Sequence, residues 1–257
     1  MTWRIIPLEL GFLCVPARIL VWETNSGPRA GDDDKTQVPL IGWALVNDRT
    51  GETVLVDAGG GDDAQYGSNH HNPLTVKPEH RLASALKNRD LELEAVRTVI
   101  LTHLHWDHAL GALQIPKAEI IVQKTELQYA VAPDDAFRKM YELDIPHQIP
   151  YFFKFFSQIR TVAGDAALAP GIRLLHLPGH SAGNQGVMVD TKSGVFIIPG
   201  DLINIRRNWS ENLPPGIHCD LSACYASMEK LRKIASAGGA TVLYSHDLAS
   251  FALCAKQ

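Results

Sequence analysis

His103-Leu104-His105-Trp106-Asp107-His108 packs four side chains able to bind a metal into six residues, directly after the apolar run Val99-Ile100-Leu101. That run reads as a buried β-strand, so the four candidates stand where a strand gives way to a loop. Imidazoles and a carboxylate are the donor set that suits zinc or another first-row ion. Buried histidines each need a partner, and three of them beside an aspartate are hard to satisfy separately. The pattern points to a metalloprotein.

Further candidates recur along the chain in the same local setting. His180 lies in Leu177-Pro178-Gly179-His180-Ser181-Ala182-Gly183-Asn184, after the strand-like Ile172-Arg173-Leu174-Leu175-His176-Leu177. Asp201 follows Gly194-Val195-Phe196-Ile197-Ile198-Pro199-Gly200, and His246 follows Ala240-Thr241-Val242-Leu243-Tyr244-Ser245. Each stands just past a predicted strand. Strand ends gather along one edge of a sheet, where loops carry chemistry on a rigid frame.

Taken in order, H-x-H-x-D-H, a His in a Gly-His-Ser-x-Gly turn, a Gly-Asp and a late His resemble the metallo-β-lactamase superfamily, from about Thr53 to Asp247. Leu55-Val56-Asp57-Ala58-Gly59 looks like the strand-turn Asp-x-Gly element of that family. The resemblance implies an α/β fold (α+β in some schemes): a four-layer αβ/βα sandwich of two mixed sheets with helices outside. It implies that His103, His105 and His180 hold one metal ion and that Asp107, His108 and His246 hold a second. Asp201 would bridge the two. Two zinc ions are the implied cofactors, with other first-row divalent metals also fitting, and Asp57 is the implied outer acceptor that fixes a ligand imidazole. Ions ~3.5–4 Å apart can hold a bridging hydroxide at neutral pH, and this machinery hydrolyses esters, lactones, thioesters, lactams and phosphodiesters alike.

Finer detail narrows the substrate. Gly200-Asp201 through Leu213-Pro214-Pro215-Gly216-Ile217, the helix after it, and Tyr244-Ser245-His246-Asp247 are most similar to the N-acyl homoserine lactone lactonase branch. The implied reaction is opening of a small-molecule lactone by attack of the bridging hydroxide, with Asp107 shuttling the proton to the leaving group. Many members of that branch carry a Tyr three residues after the bridging Asp; Asn204 stands there, and its amide could donate to the substrate carbonyl in the phenol's place. Ser181, Ala182 and Asn184 replace the Thr, the Pro and the last His of a turn that often reads Gly-His-Thr-Pro-Gly-His. The alternative reading is a glyoxalase-II-like thioester hydrolase, which shares the ligand set; Leu248 to Gln257 is short for the basic glutathione-binding region such enzymes carry. A di-iron redox module would bring a flavin partner domain.

Length and composition agree with this reading. The 257 residues are read as a single domain, 1–257, and 46% hydrophobic residues can build a substantial core. A net charge of −4 with scattered Lys and Arg argues against a nucleic-acid partner. Cys14, Cys219, Cys224 and Cys254 form no C-x-x-C pair and read as buried thiols rather than a disulfide scaffold. The N-terminal residues lack a signal-peptide pattern, and no run of ~18 apolar residues offers a membrane span, so the chain is expected to be cytoplasmic. A homodimer is compatible with all of this.

Strands are expected near 3–8, 12–21, 39–47, 52–57, 97–102, 118–122, 172–177, 185–190, 194–199 and 240–245. The spacing of Leu221, Cys224, Met228, Leu231 and Ile234 predicts a helix over 221–236 capped by Asp220. Others are expected near 79–88 and 124–131, with loops over Gly59–Pro73 and Gly27–Lys35. His70-His71 reads as a solvated pair rather than a ligand pair. The aromatic cluster from Tyr141 to Phe156 can be either a pocket wall or a helix packed on the core.

Overall fold

In the computed structural model, which describes residues 2–23 and 34–255, two mixed sheets face each other. The first takes β1 (Trp3–Pro16), β2 (Lys35–Asn47), β3 (Thr53–Val56), β4 (Leu74–Thr75), β5 (Thr98–Ile100), β6 (Glu119–Gln123) and β7 (Ile159–Val162), in the order β4-β1-β2-β3-β5-β6-β7. The second takes β8 (Ala166–Ala169), β9 (Ile172–His176), β10 (Gln185–Thr191), β11 (Gly194–Ile198) and β12 (Thr241–Val242), in the order β12-β11-β10-β9-β8. β3, β5, β6 and β7 run parallel to one another, as do β11 and β12; the other pairings are antiparallel. The helices are α1 (Ala64–His70), α2 (Leu82–Lys87), α3 (Trp106–Ala109), α4 (Lys124–Val131), α5 (Tyr151–Lys154), α6 (Arg206–Ser210), α7 (Leu221–Gly238) and α8 (Ala249–Cys254).

Three hydrophobic clusters correspond to the three interfaces of four layers. Alternate residues of each central strand point to opposite faces, and here both faces are covered, so the strands read as continuous apolar runs. Val54, Val56, Ile100 and Ile121 of the first sheet meet Leu174, Val187, Val189, Phe196 and Ile198 of the second. Their neighbours Leu55, Val99, Ile120 and Val122 turn the other way, onto Leu82 and Leu86 of α2 and Tyr151 and Phe152 of α5. On the far side, Leu175, Met188 and Ile197 pack on Cys224, Met228, Leu231 and Ala235 of α7. Truncating a buried leucine such as Leu231 to alanine should cost about 2–5 kcal/mol.

Several sequence expectations change in detail. The strands expected at 3–8 and 12–21 are one strand, β1, whose register against β2 shifts between Glu9 and Phe12 and which ends at Pro16. Two half-exposed strands, β7 and β8, were not expected; they close the edges of the two sheets and bury little, so they lack a continuous apolar run. The expected loop from Gly59 to Pro73 contains α1, started by the Asp63 carboxylate accepting from Tyr66 N at 3.0 Å. Helix α7 runs to Gly238, with the Asp220 carboxylate accepting from Ala223 N at 2.9 Å. The helix expected near 79–88 is regular only over α2, after a 3-10 turn at Pro78–His80. Most of the Gly27–Lys35 loop lies outside the described residues. No helix among the described residues is long and apolar enough to cross a membrane.

Candidate metal centre

The segments just past β3, β5, β9, β11 and β12 converge. Asp57 follows β3, and the segment after β5 brings His103 and His105, with Asp107 and His108 in the first turn of α3. His180 stands in the turn between β9 and β10, Asp201 in a 3-10 turn after β11, and His246 beyond β12. Backbone bonds lock these segments together: Gln185 N donates to Thr102 O at 2.8 Å, Ser245 N to Ile203 O at 3.1 Å, and His246 N to Asn204 O at 2.8 Å. Gly200 adopts φ +61°, and a Cβ there would stand 2.6 Å from Asn184 Oδ1 and 2.8 Å from Thr102 Cβ. Only glycine lets the strand end come this close to the first ligand loop.

Every residue expected to bind metal is in this cluster. Ligand atoms of His103, His105 and His180 lie within 4.8 Å of one another, as do those of His103, His108 and Asp201 and those of Asp107, His108 and His246. His180 Nε2 is 3.2 Å from His103 Nε2 and 3.0 Å from His105 Nδ1. Asp201 touches both groups: Oδ1 is 3.1 Å from His108 Nε2, while Oδ2 is 3.3 Å from His246 Nε2 and 3.6 Å from His180 Nε2. Asp107 Oδ2 stands 3.6 Å from His108 Nε2 and 3.8 Å from His246 Nε2.

Hydrogen bonds behind the cluster fix each ring. His180 Nδ1 donates to Ile217 O and His246 Nδ1 to Pro39 O, both at 2.9 Å. His108 Nδ1 donates at 2.9 Å to Asp57 Oδ2, which also accepts from Thr102 Oγ1 at 2.8 Å. Since that hydroxyl spends its proton on Asp57, it accepts from His103 Nδ1 at 3.0 Å. One carboxylate thereby orients two imidazoles, one directly and one through a threonine. Asp57 holds φ +56°, a left-handed conformation that turns the chain out of β3 and beneath the cluster.

Electrostatics divide the cluster. Burial pushes the His103, His105 and His180 imidazoles below the ordinary histidine range, so they stand neutral. Burial opposes charge on His108 and His246 as well, but Asp201, with smaller help from Asp107, outweighs it and raises both. Their charge, in turn, overcomes the burial of Asp201 and holds its carboxyl well below the usual range.

These residues fit a pair of cations. Carbonyl and hydroxyl acceptors hold the protons of His103 and His180 on Nδ1, so two bare Nε2 lone pairs face each other at 3.2 Å. That contact is repulsive unless a positive charge lies between them. His108 Nε2 and Asp201 Oδ1 are buried with no hydrogen-bond partner although 3.1 Å apart, because they are misaligned for a hydrogen bond. Both point at a common space rather than at each other's proton.

A cleft opens over the cluster. Leu13, Val15, Ile19, Leu20, Val38, Met140 and Ile217 form its apolar wall, and Asp107, Asp201, His246 and Asn204 are among its polar lining. Asn204, expected to donate to a substrate carbonyl, lines the cleft and donates one of its two amide N–H bonds to Leu20 O at 3.1 Å. His70 and His71 lie outside the cluster of candidate ligands, and the two differ: the His71 side chain is buried, bonds Glu142 Oε1 through Nε2 at 3.0 Å, and stacks on Trp106 with ring centres 4.0 Å apart, while His70 stays partly exposed. His70 packs against Tyr66. The aromatic cluster is mostly core, with Tyr141, Tyr151, Phe152 and Phe155 fully buried and only Phe153 and Phe156 exposed. Sequence reasoning missed Glu126. Its carboxylate is completely buried beneath the two loops that carry His103, His105 and His180.

Known proteins resemble this chain in sequence and in fold. The chain is 26% identical over 216 residues to an N-acyl homoserine lactonase of Bacillus thuringiensis, covering 80% of this chain and 81% of that protein. To the N-acyl homoserine lactonase AttM of Azorhizobium caulinodans it is 31% identical over 179 residues, 67% of this chain and 66% of that one. The fold superposes with a TM-score of 0.78 on a solved N-acyl homoserine lactone hydrolase with N-hexanoyl-L-homoserine bound at its catalytic metal centre, at 22% identity and with 99% and 97% of the two chains covered. The profile of the metallo-beta-lactamase superfamily matches residues 38–246, from near the start of β2 to the last histidine of the cluster, and the chain belongs to that superfamily.

Proposed function

We propose that this protein is a dinuclear metal-dependent hydrolase that opens lactone rings, with N-acyl homoserine lactones as its substrates. The observation that carries the reading is the pair of ligand groups sharing Asp201 at the floor of an apolar-walled cleft. Curated relatives of the same family that cover four fifths of the chain are N-acyl homoserine lactonases, which supports the choice of substrate. His103, His105 and His180 would hold one ion and Asp107, His108 and His246 the other, with Asp201 between them. Zinc suits this set of imidazole and carboxylate donors. Bound ions of this kind supply water activation near neutral pH and polarise an ester carbonyl.

The protein's own groups then divide the work. Leu13, Val15, Ile19, Leu20, Val38, Met140 and Ile217 exclude water and seat an acyl chain, leaving the ester over the polar floor. Hydrolysis adds the oxygen of water to the carbonyl carbon, and a proton must reach the ring oxygen as its bond to that carbon breaks. Asp107 lines the cleft and turns Oδ2 toward His108 and His246, so Oδ1 is the atom left to carry that proton. Asn204 has its amide on Leu20 O and serves the cleft wall rather than the carbonyl oxygen. A hydrolysis screen of metal-loaded protein tests this reading, using acyl homoserine lactones of short and long chain, plain γ- and δ-lactones, a thioester and a cephalosporin. Lactones alone should turn over well. Preferential cleavage of the thioester would move the activity to a glyoxalase-II-like class.

A further inference from the structure

Glu126 is an acid with no apolar reason to be where it is. It sits in the first turn of α4 with its side chain fully buried, and four donors from three segments converge on it. Oε1 accepts from Leu104 N at 2.9 Å and from Tyr141 Oη at 3.0 Å. Oε2 accepts from Ser181 Oγ at 2.7 Å and from Gly183 N at 2.9 Å. Leu104 lies between His103 and His105, and Ser181 follows His180. Tyr141 sets its ring edge-on against His105, with centres 5.1 Å apart. The loop presses so closely on α4 that a Cβ on Gly183 would stand 2.2 Å from Glu126 N.

We infer that Glu126 is a positioning residue that clamps the His103–His105 loop to the His180 loop, and thereby sets the spacing of the three-histidine ion site and its affinity. The inference rests on the dinuclear reading above. Each carboxylate oxygen serves one ligand loop, so the clamp works only while both oxygens accept. Glutamine shows why: it keeps the volume, yet its NH2 must face either Leu104 N–H or Gly183 N–H, donor against donor. Asp107, His108 and His246 take their ring and carboxylate support from Asp57, Pro39 and each other, so the second site should stay nearly as it was.

The test is a zinc titration of metal-stripped protein against a chromophoric chelator, for wild type, Glu126→Gln and Ser181→Ala, with thermal unfolding followed on the stripped proteins. Outer partners of ligands typically change metal affinity about 10- to 100-fold. Glu126→Gln should weaken one of two zinc ions by about that factor and leave the other within about threefold. Ser181→Ala, which keeps the Gly183 bond, should weaken the same ion by less, and Leu231→Ala, which loses core packing but takes no hydrogen bond from Glu126, should weaken neither. Equal weakening of both ions, or full affinity for both in Glu126→Gln, would overturn the clamp. If Glu126→Gln does not fold, an unchanged titration for Ser181→Ala overturns it instead. A wild type that holds fewer than two zinc ions fails the dinuclear reading itself and takes this inference with it.

Discussion

Two halves of one ligand cluster, a few ångströms apart, are built on opposite electrostatic plans. The half formed by His103, His105 and His180 is uncharged: burial keeps the imidazoles neutral, and two of them are aimed by a hydroxyl and a carbonyl. The half formed by Asp107, His108 and His246 is a dense salt-bridged group in which two raised histidines share the field of Asp201. The first half presents lone pairs that a cation can take at once. In the second, Asp201 and Asp107 favour protons on His108 and His246, so an ion binding there would have to displace them. Asp201 contacts histidines of both, so on the proposed dinuclear reading it would couple two sites that otherwise fill by different rules.

Removing that shared carboxylate should break the contrast most severely. Asp201→Asn leaves His108 and His246 without their main counter-charge and, on the proposed dinuclear reading, takes a ligand from each ion. Deleting one partner of a buried charged pair costs about 3–5 kcal/mol, or roughly 10²–10⁴ in a binding constant. Metal analysis after dialysis should find both ions depleted and lactone turnover nearly abolished. Retention of one full equivalent would mean that Asp201 serves one half alone.

Asp107→Asn should separate the halves instead of collapsing them. It weakens only the second group and removes the carboxylate placed to carry a proton, so turnover should fall by about 10²–10⁴. The three-histidine ion should remain, and thermal stability should change little, because Asp107 lies at the cleft rather than in the core. Near-normal turnover with both ions present would remove Asp107 from the mechanism.

Acid should sharpen the same difference without any mutation. His108 and His246 have raised folded pKa values, so they gain protons first as pH falls, and each proton competes with an ion. His103, His105 and His180 are lowered and stay neutral further into acid. As pH falls through the raised pKa values of His108 and His246 the second ion should weaken by up to about tenfold per pH unit for each proton displaced, and the first should weaken less. Without metal the sign for stability is separate. The raised histidines stabilise the fold below the unfolded histidine pKa, a contribution lost as pH rises through their folded values, while Asp201 stabilises it above the unfolded carboxyl pKa and loses that contribution as pH falls through its own lowered value. Zinc titrations at several pH values, with proton release measured in buffers of different ionisation enthalpy, check the contrast.

What the sequence disclosed about these halves follows a physical rule. The clustered histidines and aspartates were legible because each segment carrying them follows an apolar strand, and strands buried on both faces leave unbroken runs such as Val99-Ile100-Leu101. Asp57 was legible through its place in a strand-turn element. Glu126 was not, since a lone glutamate on a helix normally faces water and only the fold brings two loops over it. His71 was missed for a similar reason: its partner Glu142 is far away in sequence, and a His-His pair in a polar loop carries no sign of a stacking indole. Edge strands β7 and β8 gave no run because they bury so little. Pattern reveals what a residue does along the chain, while contacts across loops stay hidden until the chain is folded.

The smallest effect tests whether either half receives help from a side-chain donor at the substrate carbonyl. Asn204 lines the cleft beside His246, three residues past Asp201, and the sequence invited a donor there. Its Nδ2 is on Leu20 O at 3.1 Å, and Asn208 Nδ2 donates to the same oxygen at 3.0 Å. Leu20 and its neighbour Ile19 are part of the apolar wall, so the two amides hold that wall against the segment after β11. Losing one net hydrogen bond costs about 0.5–1.5 kcal/mol, and Asn208 retains part of the anchor. For a long-chain acyl lactone, Asn204→Ala should therefore raise KM by roughly two- to tenfold and leave kcat near that of wild type. A plain γ-lactone, which reaches the floor without leaning on the wall, should be hydrolysed as before. A lost oxyanion donor behaves otherwise: it costs ~2.7–4 kcal/mol, falls on kcat, and strikes both substrates alike. Kinetics on the two lactones side by side distinguish a wall anchor from a donor, and a 100-fold fall in kcat on both would restore Asn204 to the reacting carbonyl.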